Sequence, residues 1–209
     1  MNAQTRQFFL AGLAGQMQCA LNTPIAQTPV GIALIAHPHP LYGGTMENKV
    51  VTTLARALRD AGVATLRFNF RGVGASAGTY DQGAGETADA DAVAAWGRER
   101  WPGKTLIIAG FSFGACVALR LALQRSTAQL ITVAPAIELL DARTTATPAC
   151  PWLIVQGDAD DVVSPKAVIA WAASLHPAPR LVVLPGVGHF FHGHLQELRN
   201  AVNTAIRSD

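Results

Sequence analysis

Thr105-Leu106-Ile107-Ile108-Ala109-Gly110-Phe111-Ser112-Phe113-Gly114-Ala115 is the segment on which the reading of this chain turns. Its first five residues form an apolar, strand-like run, and Phe113 to Gln124 continues with helical spacing. Between them lies G-x-S-x-G. A sharp strand-to-helix turn holds the central serine in a strained backbone conformation, and glycines two residues to either side let strand and helix pass closely. Ser112 Oγ is then lifted clear of the sheet edge. The amide of Phe113, near the helix N-terminus, can donate to an oxyanion. The pentapeptide alone is a weak signal, because a serine there can simply cap the helix. The strand before it and the helix after it make a nucleophile the better reading.

Outward from this segment the chain alternates between two textures. Val30 to Ala36, Val63 to Phe70, Gln129 to Ala134, Trp152 to Gln156 and Arg180 to Leu184 read as strands. Glu47 to Ala61, Glu86 to Arg98, Pro165 to Leu175 and Leu195 to Ile206 read as helices, with a glycine-rich loop over Gly72 to Gly85. Repeated strand–helix alternation implies βαβ units, a mostly parallel sheet, right-handed crossovers and helices on both faces. Residues 1–209 show no repeat or linker and are read as one α/β domain. In such sheets sites lie beyond the carboxyl ends of the strands, so the residues just after each strand matter most.

Composition agrees with this. Half of the residues are hydrophobic and 14% are charged, enough for a sheet covered on both faces. The net charge of +2 comes without a basic block or acidic tail, which argues against nucleic-acid or anionic-membrane partners. Cys19, Cys116 and Cys150 are too few and too scattered for a disulfide framework, and they fit a reducing cytoplasm. Cys116 falls in an apolar helical pattern as a buried small hydrophobe. Phe8-Phe9-Leu10-Ala11-Gly12-Leu13-Ala14-Gly15 loosely imitates a signal peptide, but it is short and runs into Gln16-Met17-Gln18. It reads as a β-hairpin turning near Gly12 and Gly15. No apolar stretch approaches the ~20 residues of a membrane span.

A nucleophilic serine needs a base, and the base needs a group that fixes its tautomer. After the strand Trp152–Gln156 come three carboxylates, Asp158, Asp160 and Asp161. After Arg180–Leu184 comes His189, in a glycine-rich loop able to aim it back across the sheet. His192 and His194 lie close by in sequence, but the three straddle a loop and a helix start, a poor spacing for a metal site. His192 and His194 are expected at the surface or in the first helical turn.

With these residues in view the chain resembles the α/β-hydrolases from end to end. It is most similar to the small cap-less bacterial serine hydrolases marked by His-Pro-His-Pro after an early strand, here His37-Pro38-His39-Pro40. The resemblance implies an α/β-hydrolase fold of about eight strands with an N-terminal antiparallel hairpin and no cap domain. Only Pro135 to Pro151 separates the two strands between which caps usually insert. It also implies the chain order serine, acid, histidine. Gly157, Asp160, Val163 and Pro165 match the family's G-x-x-D pattern, which points to Asp160 rather than Asp158 or Asp161 as the acid.

In the superfamily the loop after this early strand supplies a second oxyanion amide. Pro38 and Pro40 have no N–H, which leaves His39, with Leu41 or Tyr42 as fallback. His37 is read as a brace for the turn. Gly72-Val73-Gly74-Ala75-Ser76-Ala77 matches a variant dinucleotide loop, but no helix starts at its end, and Arg71 beside it is expected to bond loop carbonyls. The pocket is expected to be open and edged by Leu41, Tyr42, Phe111, Phe113 and the 135–150 loop. The expected activity is hydrolysis of a small-molecule ester or thioester through Ser112, His189 and Asp160. A peptidase on the same scaffold and a non-catalytic binding protein are the alternatives. The chemistry calls for no metal or organic cofactor.

Overall fold

The computed structural model describes residues 5–25, 27–140 and 146–206. In chain order the strands are β1 (Arg6–Gly12), β2 (Gly15–Asn22), β3 (Gly31–Ala36), β4 (Val63–Phe68), β5 (Thr105–Phe111), β6 (Gln129–Val133), β7 (Trp152–Gly157) and β8 (Arg180–Leu184). The helices are α1 (Lys49–Asp60), α2 (Ala84–Arg100), α3 (Phe113–Gln124), α4 (Pro165–Ser174) and α5 (Leu195–Ile206). All eight strands join one sheet in the order β1-β2-β4-β3-β5-β6-β7-β8. From β4 to β8 the pairing is parallel. The hairpin β1–β2, with Gly12 opposite Gly15, adds antiparallel to β4.

Each central strand is buried on both faces, and side-chain alternation sends its residues into two cores. Along β5, Leu106 and Ile108 enter the core beneath α2, α3 and α4, while Ile107, Ala109 and Phe111 enter the one beneath α1 and α5. After β3 the chain steps outward to β4 and then returns to β5 on the other side of β3. The loops after β3 and β5 therefore diverge to opposite faces, and this topological switch point leaves a crevice at the carboxyl ends of these two strands.

Several element boundaries differ from the sequence expectation by one or two residues, and three of them have a local reason. β4 ends at Phe68, not Phe70, because the next backbone groups are claimed from the side. The amide of Phe70 donates to His37 Nε2 at 3.0 Å, and the Asn69 carbonyl accepts from Ser76 Oγ at 2.7 Å. α2 starts at Ala84, two residues before Glu86, because the Glu86 carboxylate caps the first turn, accepting from the amides of Gly83 (2.7 Å) and Asp81 (2.8 Å). β5 runs on through Phe111, whose neighbours on β6 are still in register. Arg71 corrects an expectation. It does not bond loop carbonyls but makes a two-pronged ion pair with Asp89 of α2 at 2.9 and 2.8 Å, which ties the glycine-rich loop to that helix. Between β6 and β7 the described residues form only a short 3-10 turn, Ile137–Leu139. Among the described residues no helix is long and apolar enough to cross a membrane.

Candidate active site

Ser112 sits between β5 and α3 with φ 55° and ψ −117°, a conformation that costs a non-glycine residue energy. The turn is fixed by its own backbone: the amide of Ser112 donates to Val133 O at 2.9 Å, and Ser112 O accepts from the amide of Ala115 at 3.0 Å. The flanking glycines are steric necessities. A Cβ on Gly110 would lie 2.0 Å from Gly114 O, and one on Gly114 would lie 2.4 Å from both Ala36 O and His37 O. Any side chain at either position would push α3 off the sheet.

The structure brings Ser112, His189 and Asp160 together from the ends of β5, β8 and β7. Ser112 Oγ lies 3.1 Å from His189 Nε2, and His189 Nδ1 lies 2.8 Å from Asp160 Oδ2. All three are buried. Burial by itself would raise the Asp160 carboxyl. The hydrogen bonds from His189 and from the amides of Val163 and Val162 outweigh it and hold the group below its ordinary range. Gln156 Nε2 adds a further donor to Oδ2 at 3.0 Å. An ionised Asp160 accepts from Nδ1–H, so the Nε2 lone pair of neutral His189 faces the Ser112 hydroxyl. The His189 ring packs on Phe111 and Phe190, with ring centroids 5.0 and 5.1 Å away. Asp158 and Asp161 are not part of this line. Asp158 accepts from the amide of Gly186 at 2.6 Å, and Asp161 is exposed.

His37 organises the loop after β3. It is fully buried, and burial lowers its pKa to about 4 despite the bond to Pro38 O. Because the amide of Phe70 donates to Nε2, the ring carries its proton on Nδ1 and donates to Pro38 O at 2.7 Å. The Pro38–His39 peptide is planar and trans, so pinning Pro38 O toward His37 turns the His39 N–H the opposite way. Neither the His39 nor the Phe113 amide has a protein acceptor among the described residues. The fallback amides are already engaged, Leu41 N with His39 Nδ1 (3.2 Å) and Tyr42 N with His39 O (3.2 Å).

Ser112 and His189 open into a cleft of about 380 Å³. Pro38, Val162, Phe190 and the Tyr42 ring form its apolar walls, and among the described residues no Asp, Glu, Lys or Arg side chain lines it. Tyr42 lies where the pocket was expected. Phe111 does not: it is fully buried under His189, because strand alternation points it into the α1/α5 core. Leu41 is corrected too, since its place in the 3-10 turn Pro40–Tyr42 leaves it exposed and outside the lining. Phe113 gives only its backbone, its ring being buried against Phe70. Of the 135–150 loop, residues 141–145 lie outside the described residues. Pro148 to Cys150 line a larger hollow of about 730 Å³ at the far end of the sheet, where β6, β7 and β8 begin. His192 is exposed beside Phe190, and His194 pairs with Glu197 at 3.2 Å. Asn48, which also lines the cleft, was missed by sequence reasoning. Its signal was an Asn at the head of the α1 pattern, since its side chain caps that helix.

Known proteins repeat this architecture. The model of the family described as serine aminopeptidase, S33 matches residues 39–148. An uncharacterized protein of Rickettsia prowazekii is 37% identical over 182 residues, spanning 82% of this chain and 76% of that one. The crystal structure of a Xanthomonas campestris protein, described as an α/β serine hydrolase without lid, superposes with a TM-score of 0.93 at 42% identity, covering 100% of this chain and 96% of that one. An α-β serine hydrolase homologue from Coxiella burnetii superposes with a TM-score of 0.91 at 44% identity, covering 98% and 99%. The elbow at Ser112, the eight-stranded sheet and these matches lead to one assignment: the chain belongs to this family of serine hydrolases, within the α/β-hydrolase superfamily.

Proposed function

We propose that the protein hydrolyses small carboxylic esters or thioesters, with Ser112 as nucleophile, His189 as base and Asp160 orienting the base. The observation that carries this reading is the unbroken line Ser112 Oγ, His189, Asp160, at 3.1 and 2.8 Å, opening into a cleft whose described lining residues include no Asp, Glu, Lys or Arg. Ser112 Oγ attacks the acyl carbon as its proton passes to His189 Nε2. The amides of Phe113 and His39 hold the oxyanion, and each such donor is worth roughly 3–4 kcal/mol of barrier. Collapse of the tetrahedral adduct expels the alcohol or thiol, which takes the proton from His189. Water then attacks the acyl-enzyme with His189 again as base, releasing the acid and restoring Ser112. Asp160 keeps its charge throughout, with both oxygens already hydrogen-bonded.

The lack of a carboxylate among the described lining residues favours ester over aminopeptidase chemistry. An enzyme that removes an N-terminal residue must hold an ammonium group, and no acidic side chain among the described lining residues is placed to do so. The free thiols Cys19, Cys116 and Cys150 fit a reducing, cytoplasmic setting. The test is a panel of p-nitrophenyl esters, acyl thioesters and aminoacyl p-nitroanilides. Turnover of esters or thioesters that disappears in Ser112→Ala supports the proposal. Preference for the anilides, or equal turnover by Ser112→Ala, overturns it.

A further inference from the structure

Asn48 occupies the wall of the cleft, half-buried, on the residue that caps α1. The amide of Val50 donates to Asn48 Oδ1 at 2.9 Å, which settles which end of the side-chain amide faces the helix. With the oxygen fixed by the cap, Nδ2 is the free end, and it has no protein acceptor among the described residues. The backbone holds the residue from both sides. The amide of Asn48 donates to Thr45 O at 3.1 Å, and its carbonyl accepts from the amide of Thr52 at 2.9 Å.

The other polar side chains of the lining are held differently: the Tyr42 hydroxyl is on an exposed side chain, and His39 offers Nε2–H from its ring. Pro38, Val162 and Phe190 are apolar, and the His39 Nδ1 is taken by the amide of Leu41. Ser112 and His189 are committed to each other. Among these donors the Asn48 Nδ2 is the one fixed by a helix cap, and the described lining residues include no Asp, Glu, Lys or Arg. An uncharged acceptor such as an ether or carbonyl oxygen matches that chemistry. A carboxylate would find no Lys or Arg among the described lining residues.

We infer that Asn48 is a specificity-determining residue, whose Nδ2 donates to a neutral acceptor oxygen carried by the ester substrate away from the scissile carbonyl. This rests on the hydrolase reading above. Asn48→Asp is the informative variant. Asp caps a helix as well as Asn does, so Oδ1 still accepts from Val50, but the free end becomes an acceptor that repels an ether oxygen.

The experiment compares methoxyalkanoyl p-nitrophenyl esters with alkanoyl esters of equal chain length, moving the ether oxygen one position at a time, and repeats the series in the alcohol portion. The readout is the ratio of kcat/KM, ether over all-carbon, in wild type and Asn48→Asp. At the matching position the ratio falls about 3- to 10-fold in the variant, the worth of one neutral hydrogen bond. Asn48→Ser, which keeps a capping oxygen but cannot reach as far, gives the same fall if the Asp variant does not fold. Ratios equal to wild type at every position overturn the inference while leaving the hydrolase reading intact. A wild-type protein that turns over none of the esters overturns both.

Discussion

The strain at Ser112 can be measured apart from catalysis. Ser112→Ala and Ser112→Gly both remove the hydroxyl and its contact with His189. Both keep the amide bond to Val133 O and the carbonyl bond from Ala115. They differ in the Cβ, which is held at φ 55° and ψ −117° in the alanine variant and absent in the glycine one. Relief of such a conformation is worth about 1–3 kcal/mol. Glycine returns about 0.5–1 kcal/mol of this through the extra freedom of its unfolded chain. The net expectation is that Ser112→Gly is the more stable by about 1 kcal/mol, and in a chain of this size that raises Tm by roughly 2–4 °C. Paired urea and thermal unfolding of the two inactive variants gives the difference directly. A glycine variant equal to or less stable than the alanine variant would refute the claim that the elbow stores strain.

Asp160→Asn presents an amide where Nδ1–H of His189 expects a carboxylate. The ring is driven into the wrong tautomer, and kcat on an ester should fall on the order of 10⁴-fold with little change in circular dichroism. Arg71→Met leaves the buried Asp89 without its partner and should lower stability by about 3–5 kcal/mol in urea unfolding, with Arg71→Met/Asp89→Leu recovering most of the loss. His37 titrates at about 4 when folded and at 6.5 when not, so the unfolded chain binds the extra proton between those values. Stability should therefore fall as pH drops from 6.5 toward 4, by about 3 kcal/mol in all, and His37→Gln should flatten that part of the pH–stability curve.

The periodic parts of the chain were legible from sequence because their burial is set by the chain's own pattern. α3, α5 and β8 fall where apolar spacing places them, and the glycine pair at residues 12 and 15 marks the hairpin. Ser112, Asp160 and His189 follow three different strands, and the parallel sheet that the alternation implies is what draws their loops to one edge. Less legible was anything set by a side chain reaching across the fold. β4 stops short because His37, 33 residues away, takes the amide of Phe70, and Arg71 finds Asp89 rather than the carbonyls around it. Phe111 neighbours Ser112 in sequence but faces the opposite core, as strand alternation requires once β5 is known to run through it. Asn48 was hidden for a related reason. Its capping role is local and readable, but its place in the cleft depends on how the loop after β3 folds over Ser112.

The central claim is that Ser112 is an activated nucleophile. A fluorophosphonate probe added to the folded protein, followed by intact-mass and peptide analysis, tests it most directly. The account predicts a single adduct on Ser112, absent in Ser112→Ala and strongly slowed in Asp160→Asn. A folded protein that gains no adduct, or gains it on another residue, would contradict it.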